Sequence, residues 1–232
     1  MATDSVARAI ALAGLANGGG GGGLSTIVAG TGTSSIVMNH DNTNTNEASG
    51  NYSTALGYGT KAAGEGALAA GDSKVSGNIQ ASGDGAVAIG KTYATATGTG
   101  VPSILASGQG SAAIGVAAST ANSACTITAS GQGSIAIGAT ASSKKIISSG
   151  IGSFACGNAV NGNIYAEGAG SIALGYSVAT TRADGDGAFS GGYGAAIANG
   201  EGAFAWATGT NANATKEGSV SIGSGTAAMG AL

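Results

Sequence analysis

The sequence predicts an all-β fold, a parallel β-solenoid in which the backbone climbs in short stacked coils. One phrase, Gly-x-Gly-(Ser/Ala)-apolar-Ala-apolar-Gly, recurs ten times along the 232 residues, as expected when each repeat is one structural unit stacked on the next. In addition, 46 glycines accompany only 4% aromatic residues. The core must therefore be thin and built from small and branched aliphatic side chains.

The repeated phrase itself reads as a short strand between glycine turns. Its clearest copies are residues 83–90, 108–115, 131–138 and 168–175. Within one copy the pattern has period 2, so Ile135 and Ile137 point to one side while Ser134 and Ala136 point to the other. Glycine enters positive φ freely and supplies the corners. Each unit is predicted to be strand, turn, return strand and turn. The closing positions are 57, 71, 90, 115, 138, 157, 175, 192, 207 and 223.

The longer repeats contain insertions that keep a common register. In five of them the residue four positions before the next phrase is isoleucine, whereas shorter repeats have threonine or alanine there. We therefore predict that the return strand lengthens in these repeats and carries its own isoleucine column. The coil should be widest around residues 91–130 and taper towards the C-terminus. The five isoleucines are Ile79, Ile104, Ile127, Ile146 and Ile164.

Two segments precede the repeats, which gives three predicted regions. Residues 1–23 combine a short helix, with Asp4 as its N-cap, and a tether ending in six glycines. Residues 24–50 are predicted to be a strand-rich connector and cap, and residues 51–232 a β-roll of about ten repeats. A short helix on a flexible tether is suited to docking, and Val6, Ile10 and Leu15 are its predicted docking residues.

The phrases GQGSIAIGATAS (residues 131–142) and GAGSIALGYSVAT (residues 168–180) resemble the head repeat of the trimeric autotransporter adhesins, the YadA-like head. The resemblance spans residues 51–223. It implies a left-handed parallel β-roll that forms a homotrimer, with the small-residue face of each chain against the other two chains. Those adhesins also carry a signal peptide, a coiled-coil stalk and a membrane barrel, and the sequence shows none of these segments.

The same β-roll recurs in phage fibre and head-decoration proteins, and the start MATDSVARAIALAGLA looks like that of phage structural proteins. We therefore expect a virion protein assembled in the host cytoplasm, with a head fibre favoured over a tail fibre. A bacterial trimeric adhesin head is the alternative. A calcium-binding or ice-binding solenoid is a further alternative.

Composition argues against several other functions. A net charge of −3 with 8% charged residues provides no basic surface for nucleic acid. No apolar run reaches the roughly 18 residues that cross a bilayer. Two cysteines are too few for a disulfide framework or a zinc site. No catalytic constellation is apparent, so we expect a protein that is not an enzyme and needs no cofactor or metal.

Two motifs match binding patterns without the context that binding needs. Residues 85–92, GAVAIGKT, satisfy the phosphate-loop pattern, which requires a strand before it and a helix after it. Here AVAI is itself the repeated strand. Residues 184–187, DGDG, suggest calcium, but other repeats have Glu65, Gln109, Gln132 or Ala169 where this one has Asp186, so no column of carboxylates forms. Threonines form no sustained column either, which argues against ice binding.

The predicted partners are other copies of the chain, a capsid or other virion protein at the N-terminus, and a glycan or protein of the host surface. Three identical faces held together would raise the effective concentration of weak contacts. The candidate contacts lie in the insertions or next to them. They are Tyr93, Ile104 and Tyr165.

Overall fold

The computed structural model describes residues 26–39, 46–73, 77–94, 100–119, 123–209 and 211–228. These residues contain strands and turns but no helix. The docking residues Val6, Ile10 and Leu15 lie outside the described residues. In chain order the strands are β1 (Thr26–Ala29), β2 (Ile36–Asn39), β3 (Glu47–Ala48), β4 (Thr54–Tyr58), β5 (Thr60–Ala62), β6 (Leu68–Ser73), β7 (Asn78–Ala81), β8 (Val87–Ala94), β9 (Ser103–Ala106), β10 (Ala112–Ser119), β11 (Thr126–Ala129), β12 (Ile135–Ala141), β13 (Lys145–Ser148), β14 (Phe154–Ala159), β15 (Ile164–Ala166), β16 (Ile172–Ser177), β17 (Thr181–Ala183), β18 (Phe189–Tyr193), β19 (Ala195–Ala198), β20 (Phe204–Ala207), β21 (Asn211–Ala214), β22 (Val220–Gly223) and β23 (Thr226–Ala228).

The strands form two sheets that the chain visits alternately. A 12-stranded sheet runs β1-β2-β4 and then through every even strand to β22; we call it the forward sheet. An 11-stranded sheet contains the odd strands from β3 to β23; we call it the return sheet. Neighbours in both sheets are parallel, as in β8-β10-β12, except that β1 is antiparallel to β2. This is the predicted parallel β-solenoid.

The repeated phrases stack in register along the forward sheet. The closing glycines Gly90, Gly115, Gly138, Gly157 and Gly175 face one another in successive strands. The same column continues to the closing residues of the first and last phrases. All ten phrases therefore occupy equivalent places, one coil apart.

The core lies between the two sheets, and isoleucines of the return sheet fill it. Ile79, Ile104, Ile127, Ile146 and Ile164 are paired in register and have no exposed surface. Burial of one such side chain contributes about 1.5–3 kcal/mol. The predicted isoleucine column is confirmed. Because Ile104 belongs to this column, its assignment as a surface contact is wrong.

The insertions lengthen the strands of the forward sheet and not, as predicted, those of the return sheet. The return strands remain three or four residues long from β5 to β21. The forward strands lengthen instead, to eight residues in β8 and β10. They shorten to six in β14 and β16 and to four in β20 and β22. The taper is confirmed, but the lengthening of the return strand is wrong.

The stack begins before residue 51. Strand β2 pairs in parallel with β4, and β3 pairs with β5, so residues 36–39 and 47–48 supply a first coil. Strand β1 pairs with β2 at the N-terminal edge of the forward sheet and runs antiparallel to it. The segment predicted as connector and cap therefore includes part of the solenoid.

Two glycine columns are required by close packing between coils. A Cβ added to Gly131 would lie 2.6 Å from the carbonyl carbon of Gly150 in the next coil and would overlap its oxygen. A Cβ on Gly138 would overlap the carbonyl oxygen of Gly157 and lie 3.0 Å from Cδ1 of Ile146. The closing glycine therefore leaves room for the isoleucine of the return strand as well as for the next coil.

A third glycine column has a different cause. Gly133 has φ +63°, and a Cβ added to it would meet nothing within 4 Å. Tyr52 occupies the equivalent turn position with φ 58°. This column is therefore set by the left-handed backbone conformation, which glycine adopts without strain, and not by lack of space.

Candidate interaction surface

The period-2 pattern of the forward sheet directs its larger side chains outward. They form two adjacent columns along the stack, which we call the apolar face. Thr54 is the one hydroxyl among its members between β4 and β22, and no member is charged. The apolar face consists of Thr54, Leu68, Val87, Ala112, Ile135, Phe154, Ile172, Phe189, Phe204 and Val220 in one column and Leu56, Ala70, Ile89, Ile114, Ile137, Cys156, Leu174, Gly191, Trp206 and Ile222 in the other.

The two sides of the forward sheet differ sharply in exposure. Ala136 and the equivalent alanines on the inner side have no exposed surface, since they pack against the return sheet. On the apolar face, Ile135 is 37% exposed and Ile222 60%. The small-residue side was expected to contact other chains, and this expectation is wrong. A single chain already buries that side, so it is not available for contacts between chains.

Polar residues border the apolar face. Beyond the closing glycines a margin column contains Asp72 and Lys91, whose charged groups lie 3.9 Å apart, and Asn158. At the opposite border the turns present Gln109 and Gln132, which are joined by a side-chain hydrogen bond of 3.1 Å. Val116 and Ala139 also stand in the margin column, between Lys91 and Asn158. The face is therefore an apolar stripe with a border that is only partly polar, and exposed apolar stripes are typical of interaction sites.

The outer surface of the return sheet has a different composition. Arg182 donates hydrogen bonds of 2.6 Å to both Glu167 and Asp184 and lies 5.8 Å from the ring of Tyr165. Burial raises the pKa of Tyr165, and Glu167 adds to this effect. Burial also raises the pKa of Asp184, although Arg182 opposes the shift. This surface is mixed, because Leu105, Ile147 and Ile197 stand in the same outward column as Tyr165 and Arg182.

A comparison with known protein families agrees with the repeated, stacked coils. The family model of the YadA head domain repeat (2 copies) matches residues 48–73, 80–92, 128–145 and 205–226. YadA head domain repeats are thus detected in these segments of the chain. The first matched segment begins in β3 and the last ends in β23, and residues 93–127 and 146–204 between them are not matched. No curated protein matches the chain.

The two cysteines differ in burial and lie outside the segments that the family model matches. Cys156 lies on the apolar face between Ile137 and Leu174 and is half-buried. Cys125 is fully buried inside the coil. Burial raises the pKa of both thiols above the usual value of a cysteine. Cys156 stands in the position that Ile137 occupies in the preceding coil.

Tyr93 and Tyr165, the other predicted contacts, lie on different surfaces of the repeats. Tyr93 is 36% exposed near the end of β8, and Tyr165 is half-buried on the outer side of the return sheet. They are far from forming one site, because one belongs to the forward sheet and the other to the return sheet. Their role in contacts stays a prediction.

The two motif matches have ordinary places in the solenoid. Most of residues 85–92 forms β8, which pairs with β6 and β10 and is followed by no helix in the described residues. Asp186 accepts a 2.8 Å hydrogen bond from the backbone of Ala169. Among the described residues no group of three or more His, Cys, Asp or Glu is placed to hold a metal ion. The same residues include no helix with the length and apolarity needed to cross a membrane.

Sequence reasoning missed the apolar face as a site. The alternation of Ile135, Ala136 and Ile137 shows two sides but does not say which side faces inward. The signal that identifies it is the isoleucine column of the return strands. One column of isoleucines opposite alanine and glycine fills the space between the sheets, so the larger residues of the forward strand must point outward.

Proposed function

We propose that the chain is a non-enzymatic structural protein and forms a homotrimeric, adhesin-like fibre. The observation that carries this proposal is the apolar face, which is free of charge from β4 to β22 on a stack of YadA head repeats. Exposed apolar stripes of this kind are rare on monomers. Other copies of the same chain are the occupants we propose for it.

The regular stacking favours a parallel arrangement of the copies. Coils repeat about every 4.8 Å, so three parallel chains related by a threefold axis bring equivalent residues to the same height. Each half-buried Ile, Leu or Phe that becomes covered would add on the order of 1 kcal/mol. Summed over the coils, this contribution would bind the copies strongly, and the return sheets would face outward.

The trimer can be tested with the two cysteines as matched probes. The Cys125→Ser variant keeps Cys156 on the apolar face, and the Cys156→Ser variant keeps Cys125 inside the coil. Treatment with a short bismaleimide should link chains in the first variant and not in the second. Light scattering should give the mass of three chains at micromolar concentration. A monodisperse monomer would contradict the proposal.

Charge substitutions on the two surfaces test which face is the interface. Ile137→Asp places a carboxylate on the apolar face, where burial without a partner is costly. It should release monomers that keep the circular dichroism of the solenoid. Thr128→Asp, on the outer side of the return sheet, is the control and should remain trimeric. If Ile137→Asp also remains trimeric, the apolar face is not the interface.

We further propose that the fibre is a virion component, with the head favoured over the tail. Val6, Ile10 and Leu15 would dock it to a capsid protein, and the solenoid would aid attachment to a cell or mucus surface. The support is the arrangement of an apolar segment and a glycine run ahead of the repeats. Mass spectrometry and antibody labelling of purified particles would test this placement. Detection on a bacterial surface instead would favour the adhesin alternative.

A further inference from the structure

Two tyrosine rings stack on each other along the margin column of the forward sheet. Tyr176 and Tyr193 stand opposite each other in β16 and β18, which are neighbouring parallel strands. Their ring centroids are 5.6 Å apart and their planes differ by 10°, a separation that is usual for interacting aromatic rings. The register of the sheet therefore holds the two phenol rings next to each other.

Both rings are accessible from solvent in the folded chain. Tyr176 is 43% exposed and Tyr193 is 54% exposed. They follow the closing glycines Gly175 and Gly192 directly, so they belong to the margin column and not to the apolar face that we assign to contacts between chains. A small molecule in solution can therefore reach the two phenol groups.

Other exposed tyrosines have no such neighbour. Tyr93 stands opposite Ala118 in β10, and Tyr52 occupies a turn at which φ is 58°. Within the part of the chain that the structure describes, Tyr176 and Tyr193 are the one pair of tyrosines whose rings are in contact. Chemistry that needs two adjacent phenols should therefore be confined to this pair.

We propose that Tyr176 and Tyr193 form an oxidation site, at which a one-electron oxidant joins them as dityrosine. Each phenol gives one electron to the oxidant and one proton to water, which leaves two tyrosyl radicals. The ortho carbons of the two rings then form a C–C bond, and the hydrogen on each of these carbons moves to the phenol oxygen. The oxidant accepts two electrons in all, and the product has two hydrogen atoms fewer than the two tyrosines.

The bond would join two coils that are otherwise held together by hydrogen bonds and packing. It would run from β16 to β18 and close a covalent loop within the chain. Such a loop restricts the unfolded chain and so stabilises the folded state. The two coils could then no longer separate one at a time. Because both rings belong to one chain, this inference does not depend on the proposed trimer.

The test is oxidation of the full chain with tris(bipyridyl)ruthenium, persulfate and light. Tryptic mapping should find residues 146–182 joined to residues 183–216, with the loss of two hydrogen atoms. The joined peptide should come from the single-chain band of denaturing electrophoresis, and the oxidised chain should unfold at a higher guanidinium midpoint. Tyr193→Phe should abolish the joined peptide, because phenylalanine has no phenol. Tyr93→Phe, the matched control, should leave its yield unchanged.

Three results would overturn the oxidation site. The joined peptide does not form, or it forms equally well in Tyr193→Phe, or it is found only in bands of two or three chains, which would mean that the rings meet across chains. Tyr176→Phe is a second variant and should give the same loss as Tyr193→Phe. Both variants keep an aromatic ring in the stack, so the fold is preserved. An unchanged guanidinium midpoint would refute the stabilising link between the coils.

Discussion

Replacing Gly131 or Gly133 by alanine tests the two causes that we assign to the glycine columns. At Gly133 there is free space, and the cost is that of a left-handed alanine, about 1–2 kcal/mol. Alanine also lowers the conformational entropy of the unfolded chain, which offsets about 0.4–1 kcal/mol of that cost. The net loss in the free energy of unfolding should therefore be about 1 kcal/mol or less.

Gly131 presents the opposite case, because its backbone has no positive φ and the added methyl group meets the next coil. A Cβ that now falls 2.6 Å from the carbonyl carbon of Gly150 needs the coils to separate locally by about 1 Å. That movement breaks hydrogen bonds such as the 2.9 Å bond from Ser130 N–H to the Ser148 carbonyl. At about 1 kcal/mol for each bond, together with lost packing, Gly131→Ala should cost about 3 kcal/mol.

The measurement is guanidinium unfolding of both variants and the parent chain, followed by far-UV circular dichroism at one chain concentration. A fixed concentration is needed because association contributes to the apparent stability. We expect Gly131→Ala to unfold at a clearly lower midpoint than Gly133→Ala. Equal midpoints, or a larger loss for Gly133→Ala, would refute the assignment of close packing to one column and backbone conformation to the other.

Three further predictions concern the core, the return surface and the thiols. Ile127→Ala should lower the free energy of unfolding by about 2–5 kcal/mol because it leaves a cavity in a fully buried column; a loss below 1 kcal/mol by denaturant titration would argue against that column as the core. Arg182→Gln should cost less than about 1 kcal/mol, since its ion pairs are exposed, and should raise the pKa of Asp184 further, measured by NMR titration. The raised pKa of both thiols keeps them protonated at neutral pH. Alkylation of the thiols, followed by mass spectrometry, should therefore become fast only at alkaline pH, and Cys156 should react faster than Cys125. The folded chain should also lose stability as the pH rises above the thiol pKa of the unfolded chain, because the folded state disfavours the thiolate. Rapid labelling of Cys125 at neutral pH would contradict this.

The vertical register of the solenoid was predictable because each coil repeats the same glycine spacing. The position of Ile127 relative to the next phrase was enough to predict its column. The extra length of the insertions was assigned to the wrong strand. In β10, Ala117 and Ser119 keep small residues pointing inward beyond Gly115, so the forward strand can continue to pair. This continuation depends on the neighbouring coils and is not visible in one repeat.

The candidate surfaces were harder to predict than the fold. Both sides of the forward strand are apolar, so hydrophobicity alone does not distinguish the core from the apolar face. The contact of Arg182 with Glu167 joins residues 15 positions apart, a distance set by the length of that particular coil.

The direction of the hydrogen bonds has a mechanical consequence. Strands lie across the long axis, so the bonds between coils point along it, and a pull on one terminus strains only the outermost coil. An isolated chain would then unfold one coil after another at low force. Force applied across the sides of several chains would instead be shared by many coils at once. Lateral association would therefore determine how well such a fibre withstands shear.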